Sequence, residues 1–121
     1  MPTILAVDDS PSIRQMIKVV LGPAGHTVIE AGDGAEGLAK AKAGAINLVI
    51  TDLNMPVMNG LEMIRQIRGL PALTGVPILF LSTESDETFK QQAKAAGATG
   101  WITKPFKPDQ LLAVVSKLTR A

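Results

Sequence analysis

At 121 residues the chain has the size of one domain with a real hydrophobic core. Its 12 basic and 11 acidic side chains leave a net charge of +1, too even a balance to make nucleic acid its main partner. It has no cysteine, which excludes a disulfide framework and suits a reducing cytoplasm, and no apolar run approaches the roughly 20 residues of a membrane span.

Met-Pro-Thr runs straight into a predicted strand over 3–8, so no signal peptide is expected. In that strand Ile4-Leu5-Ala6-Val7 ends in the acid pair Asp8-Asp9. A helix follows over 11–22, with Ser10 as N-cap, Pro11 at its first position, and Ile13, Met16, Ile17, Val20 and Leu21 on one stripe. The next strand, 26–31, opens with His26, which has no catalytic partner near it in sequence and is read as structural. Asp33 and Glu36 form a capping-box pattern at the start of a helix over 34–44. The third strand, 47–52, is the run Asn47-Leu48-Val49-Ile50-Thr51 ending in Asp52. Beyond it, Met55 and Met58 read as packing residues, and Gly60 as the tight start of a helix over 60–70 that buries Leu61, Ile64 and Ile67. A fourth strand, 76–82, ends in the hydroxyls Ser82-Thr83. The helix over 86–97 is weakly amphipathic, with Phe89, Ala93 and Ala96 facing inward. Gly100-Trp101-Ile102-Thr103 forms the last strand and ends in Lys104-Pro105, before a helix over 108–120 that buries Leu111, Val115 and Leu118.

Five βα units without linker or repeat predict a single α/β domain over 1–121, a doubly wound (βα)5 sheet with helices on both faces. Strands one, three and four are apolar nearly throughout, as parallel strands covered on both sides are. Right-handed crossovers leave few strand orders. The flavodoxin-like order 2-1-3-4-5 is taken over from known sheets and does not follow from spacing. Under it the winding reverses between strands one and three, where such sheets bind ligands at their carboxyl ends. Asp8, Asp9 and Asp52 then converge, with Ser82 and Lys104 on the flank.

Each of these residues has an ordinary structural use when taken alone. Asp8-Asp9 can favour a helix start, Asp52 can form a turn, and Lys104 can be a solvated surface lysine. Together they make a chemical inventory. Three carboxylates within a few ångströms repel, and one ammonium leaves about two charges in excess. Mg²⁺ suits such a gap, because it keeps several waters and takes only one or two carboxylates plus a phosphoryl oxygen. Phosphorylation of Asp52 adds about two negative charges. Mg²⁺, Lys104 and the Ser82 hydroxyl can spread that charge over three phosphoryl oxygens.

These motifs, in this order and spacing, resemble the receiver domains of two-component response regulators, most closely the stand-alone chemotaxis type. The carriers are Asp8-Asp9, Asp52-Leu53-Asn54-Met55-Pro56-Val57-Met58-Asn59-Gly60, Ser82, and Lys104-Pro105-Phe106. The resemblance implies that Asp52 is the phosphoacceptor, that Asp9 holds Mg²⁺ directly and Asp8 through water, and that the Asn54 backbone carbonyl completes the metal shell. It makes Ser82 the switch hydroxyl, Lys104 the phosphate-contacting lysine, and the Lys104–Pro105 bond cis. Thr83 is bulkier than the alanine common at its position and is expected to slow water. Trp101 stands where an aromatic, often tyrosine, turns inward on activation. Tryptophan brings only an N–H donor, so its toggle is an expectation set against simple packing on strand five. Asn54 and Glu84 match positions that tune dephosphorylation, and a mark lasting seconds to a few minutes is expected.

No residues are left over for an effector, so the output is expected at the protein's own surface. Lys90, Lys94, Lys107 and Trp101 suggest a mildly basic, partly apolar face on helix four, strand five and helix five. The resemblance supplies its partners: a histidine kinase of the chemotaxis type, the flagellar switch or another protein target, and a phosphatase. A cytoplasmic monomer that catalyses only its own phosphorylation and dephosphorylation is expected, with neither nucleic acid nor membrane as partner. A phosphorelay intermediate or phosphate sink, passing the group to a histidine phosphotransfer protein, uses the same chemistry. A haloacid-dehalogenase-like phosphatase needs a general acid two residues after its nucleophile, and Asn54 is there instead.

Overall fold

The computed structural model describes residues 2–53, 57–73, 75–83 and 87–119. In chain order its elements are β1 (Thr3–Val7), α1 (Pro11–Leu21), β2 (Thr27–Ala31), α2 (Gly34–Ala43), β3 (Leu48–Thr51), α3 (Gly60–Arg68), a 3₁₀ turn at Pro71–Leu73, β4 (Ile78–Ser82), α4 (Glu87–Ala96), β5 (Gly100–Thr103) and α5 (Pro108–Thr119). All strand pairings are parallel and the sheet order is β2-β1-β3-β4-β5, the expected flavodoxin-like arrangement.

The period of two along each strand sorts the core into two layers. Leu5, Val7, Val49, Ile78 and Phe80 point to one face, where Leu38, Met63, Ile64, Ile67 and Phe89 of α2, α3 and α4 cover them. Ile4, Ala6, Leu48, Ile50, Leu79, Leu81 and Ile102 point to the other, beneath Ile17 and Leu21 of α1 and Leu111 and Val115 of α5. Among the described residues no helix is long and apolar enough to cross a membrane.

The caps explain where the helices start. Ser10 Oγ accepts the Ile13 N–H at 3.4 Å, with Pro11 in the first turn. Asp33 Oδ1 accepts the Glu36 N–H at 2.8 Å, and Glu36 answers by accepting from the Gly32 N–H at 2.6 Å, one residue before the cap. Asn59, not singled out in the sequence, caps α3 through the Glu62 N–H at 2.9 Å. Three inward assignments shift, one of them Leu118, which is only partly buried because Leu111 and Val115 carry the buried line of α5. Met16 is 43% exposed, because the buried line of α1 runs through Ile17 and Leu21 and leaves Met16 at its edge. In α3 the fully buried residues are Met63, Ile64 and Ile67, the 3.6-residue repeat, while Leu61 is only partly buried.

At the amino edge of the sheet, Arg68 ties three segments together. Its guanidinium donates to Gly97 O at 2.7 Å, Val76 O at 2.7 Å and Leu73 O at 3.3 Å. His26 lies just before β2, its Nδ1 buried without a hydrogen-bond partner among the described residues.

Candidate functional site

Three side chains of the expected cluster sit one residue past the ends of their strands, each pinned by a final ladder bond. The Asp8 N–H donates to Ala31 O at 3.1 Å, the Asp52 N–H to Val7 O at 3.0 Å, and the Lys104 N–H to Ser82 O at 2.8 Å. Predicted strands that ran to residues 8 and 52 therefore end at Val7 and Thr51. The reason is local. Each carboxylate bends its own backbone, Asp8 Oδ1 accepting the Ser10 N–H at 2.9 Å and Asp52 Oδ1 the Leu53 N–H at 2.7 Å.

The cluster lies at the carboxyl ends of β1 and β3, where the winding reverses. Lys104 Nζ donates to Asp8 Oδ2 at 2.8 Å and lies 3.4 Å from Asp52 Oδ2. Asp8 is buried with both oxygens engaged, while Asp9 beside it is exposed. Burial pushes the Asp52 carboxyl above its ordinary value. Lys104 and the Leu53 N–H pull the other way without cancelling that rise, and the Asp8 charge adds to it.

Asp8, Asp9 and Asp52 each offer a carboxylate oxygen, all within 4.8 Å of one another. The donor set is hard oxygen throughout, with a single ammonium for three acids among the described residues. That combination fits a divalent, oxygen-liganded cation such as Mg²⁺.

Around the cluster, Ser82 is fully buried at the end of β4, whereas Thr83 is exposed. The Lys104–Pro105 bond is cis. Trp101 is half-buried on the α4 face of β5, its ring centroid 4.5 Å from that of Phe89 and 5.8 Å from that of Phe80. Its Nε1 donates to Thr103 Oγ1 at 3.3 Å. Asn54, Met55 and Glu84 lie outside the described residues. Gly60 does more than start α3: its N–H donates to Leu53 O at 2.9 Å, and a Cβ there would collide with the Asp52 carbonyl. Sequence reasoning missed that contact, along with the Leu53 N–H and the Arg14–Glu30 pair that flanks Asp8. The nine-residue run from Asp52 to Gly60 carried the only available signal for the first two.

The strand order and the carboxyl-edge position of the cluster put the molecule among the flavodoxin-like folds. Residues 4–116 match the response regulator receiver domain, and the chain belongs to that family, a component of two-component signalling. Chemotaxis protein CheY4 of Vibrio cholerae superposes with a TM-score of 0.94 at 47% identity, covering 98% of each chain. Protein PilH of Pseudomonas aeruginosa is 33% identical over 116 residues, 96% of each chain. The receiver domain of the Pseudomonas aeruginosa sensor histidine kinase PA1611, which has a magnesium ion coordinated in its active site cleft, gives a TM-score of 0.90 at 25% identity, covering 98% of this chain and 97% of that one. Other matching relatives are longer. The chain spans 8% of a hybrid signal transduction histidine kinase of Dictyostelium discoideum and 48% of the DNA-binding response regulator MtrA of Mycolicibacterium smegmatis.

Proposed function

We propose that Asp52 accepts a phosphoryl group from a histidine kinase of the chemotaxis type, in a Mg²⁺-dependent reaction that alters a protein-docking face. One observation carries the reading: a single ammonium, Lys104 Nζ, serves both Asp8 at 2.8 Å and the half-buried Asp52 at 3.4 Å. An Asp52 oxygen forms the new bond to phosphorus as the P–N bond of the donor phosphohistidine breaks, and the leaving imidazole takes a proton from solvent. Lys104 then serves the phosphoryl oxygens, and Ser82 at the end of β4 supplies a hydroxyl. Bound Mg²⁺ supplies the charge neutralisation that three carboxylates and a phosphoryl group require. Asp9 suits direct coordination because its carboxylate is exposed, while both Asp8 oxygens already have protein partners. The Asn54 carbonyl belongs to the same proposed shell, and Asn54 and Glu84 to the control of dephosphorylation.

The docking face is α4, β5 and α5. Between α4 and β5 a groove of about 300 Å³ is lined by Lys90, Lys94, Thr99 and Trp101, with the Lys90 ammonium 5.9 Å from the Trp101 ring. A target that meets it with apolar and acidic groups fits this lining. Trp101 is the natural reporter of the change. Emission that stays constant on phosphorylation while the face itself changes would remove it from the switch.

The test is intact mass after Mg²⁺ and acetyl phosphate, with Asp52→Asn alongside. One phosphoryl adduct that needs Mg²⁺ and is lost in the variant supports the proposal. No adduct under rapid sampling, even with a kinase supplied, refutes it.

A further inference from the structure

The two acids of the cluster share one peptide plane, formed by the Asp8 carbonyl and the Asp9 N–H. The dihedrals on either side of it, ψ of Asp8 and φ of Asp9, set how the two side chains are oriented relative to one another. Its amino side is fixed by the ladder bond from the Asp8 N–H to Ala31 O. Its carbonyl is held by Arg14. From the first turn of α1 the side chain reaches back toward the helix N-terminus, as helical side chains do. There Nη1 donates to Asp8 O at 2.5 Å and Nε to Glu30 Oε1 at 3.1 Å.

Glu30 is itself restrained. Lys18 Nζ lies 3.2 Å from Glu30 Oε2, and Lys40 Nζ donates to the Glu30 backbone carbonyl while pairing with Glu36 at 3.3 Å. The guanidinium thus joins the acidic turn to an anchored carboxylate on β2. The fork does this from two nitrogens held in one plane, a geometry that the single ammonium of lysine does not reproduce. The Arg14 side chain is 18% exposed, well enough enclosed to hold one geometry.

We propose that Arg14, held by Glu30, is a positioning residue for the cation site: it sets the peptide plane from which Asp8 and Asp9 project. The proposal rests on the Mg²⁺-dependent acceptor chemistry above. It has a sign that a simple charge effect lacks. A cation near three carboxylates opposes Mg²⁺, so deleting it should tighten binding if charge were its only role. Loss of positioning weakens binding instead, as loss of outer-shell partners does, by about 10-fold or more.

The experiment is calorimetric Mg²⁺ titration of the whole chain as wild type, Arg14→Lys, Arg14→Gln, Glu30→Gln and Lys18→Gln. Urea unfolding verifies that each variant is folded. Weakening of about 10-fold is expected for Arg14→Lys, Arg14→Gln and Glu30→Gln, and less for Lys18→Gln, which loosens Glu30 but leaves the fork intact. The acetyl phosphate reaction should recover its wild-type maximal rate at saturating Mg²⁺, a split that general loosening does not produce. Wild-type affinity in Arg14→Lys, or tighter binding in Arg14→Gln, overturns the proposal and leaves the acceptor chemistry standing. A wild type that takes up no Mg²⁺ overturns both. If the Arg14 variants do not fold, Glu30→Gln decides: unchanged affinity there refutes the positioning role.

Discussion

Replacing Lys104 with methionine keeps the bulk of the stem and removes the charge. The ammonium lies 2.8 Å from Asp8 and 3.4 Å from Asp52, with side-chain exposures of 14%, 3% and 13% for Lys104, Asp8 and Asp52. At an effective dielectric of about 20, each contact is worth roughly 5–6 kcal/mol before desolvation. Desolvation of the lysine itself returns much of that. What remains is the cost of leaving carboxylates enclosed without their partner, about 3–5 kcal/mol for a buried ion pair. The low exposures make solvent screening a small correction. Asp52, whose carboxyl already sits above its ordinary value, can take up a proton and relieve part of the repulsion. The expected loss is therefore near the lower end, about 3 kcal/mol at pH 7 in a chelator. Mg²⁺ stabilises either folded protein by mass action, about 2.7 kcal/mol at 100 times its Kd, and should narrow the gap to the extent that it binds the variant better. Binding should also be tighter in the variant, which has lost a competing charge. Urea unfolding of both proteins, with chelator and then with excess Mg²⁺, reads both effects. A loss under about 1 kcal/mol in chelator, or a gap that Mg²⁺ leaves unchanged, refutes the view that Lys104 holds this cluster together.

The Asp52 carboxyl is raised by burial, so the folded state binds its proton more tightly than the unfolded chain does. That contribution to stability declines as pH rises from the ordinary value of 3.8 through the folded one. Asp52→Asn should therefore stabilise the metal-free protein at pH 7, with the gain disappearing below pH 3.8, and thermal melts across pH check it. Gly60→Ala should cost about 1–3 kcal/mol despite alanine's better helix propensity, because its Cβ must displace the Asp52 carbonyl and meets Phe80 Cε1 at 3.0 Å. Chemical denaturation gives that loss, and stability equal to wild type would contradict the contact. Val57 has φ of 68° and is 84% exposed, a β-branched residue in the left-handed region with almost nothing to lose by truncation. Val57→Gly should raise stability by about 0.5–1 kcal/mol, and a destabilised variant would show that the valine is held there by something other than strain.

The fold was legible because hydrophobic period is a strong local signal and here it alternates cleanly. Runs such as Ile4–Val7 and Ile78–Leu81 read as strands buried on both faces, and the two core layers bear that out. The strand order came from likeness to known sheets, since crossovers of similar length admit more than one order. In the cluster, residue types at strand ends announced Asp8, Asp52 and Lys104. The contacts that hold their backbones were not legible. Arg14 and Glu30 are 16 positions apart, and each reads as a surface charge until α1 is laid against β2. Asn59 was passed over because an N-cap role is visible only once the helix start is fixed, and Met63 because Leu61 competed with it for the inward face.

The way the cluster is held limits what can respond to a new charge at Asp52. Its backbone has little freedom: the N–H is in a ladder bond to Val7, the carbonyl accepts from Thr51 Oγ1 at 2.8 Å, and Gly60 closes the remaining space. Asp8 is fixed from both sides of its peptide. Lys104 is different, because it follows β5, an edge strand with a single neighbour. A shift of β5 disturbs only one ladder, with β4, whereas a shift of β1 or β3 disturbs two. The same short strand carries Trp101, whose indole N–H bonds to Thr103, the residue just before Lys104. Trp101 meets Phe89 on α4 at 4.5 Å between ring centroids and Phe80 on β4 at 5.8 Å. A change in the lysine's electrostatic partner therefore acts on an edge strand, which one ladder holds. That strand's half-buried aromatic lies against α4, which puts the proposed docking face where only one ladder has to shift.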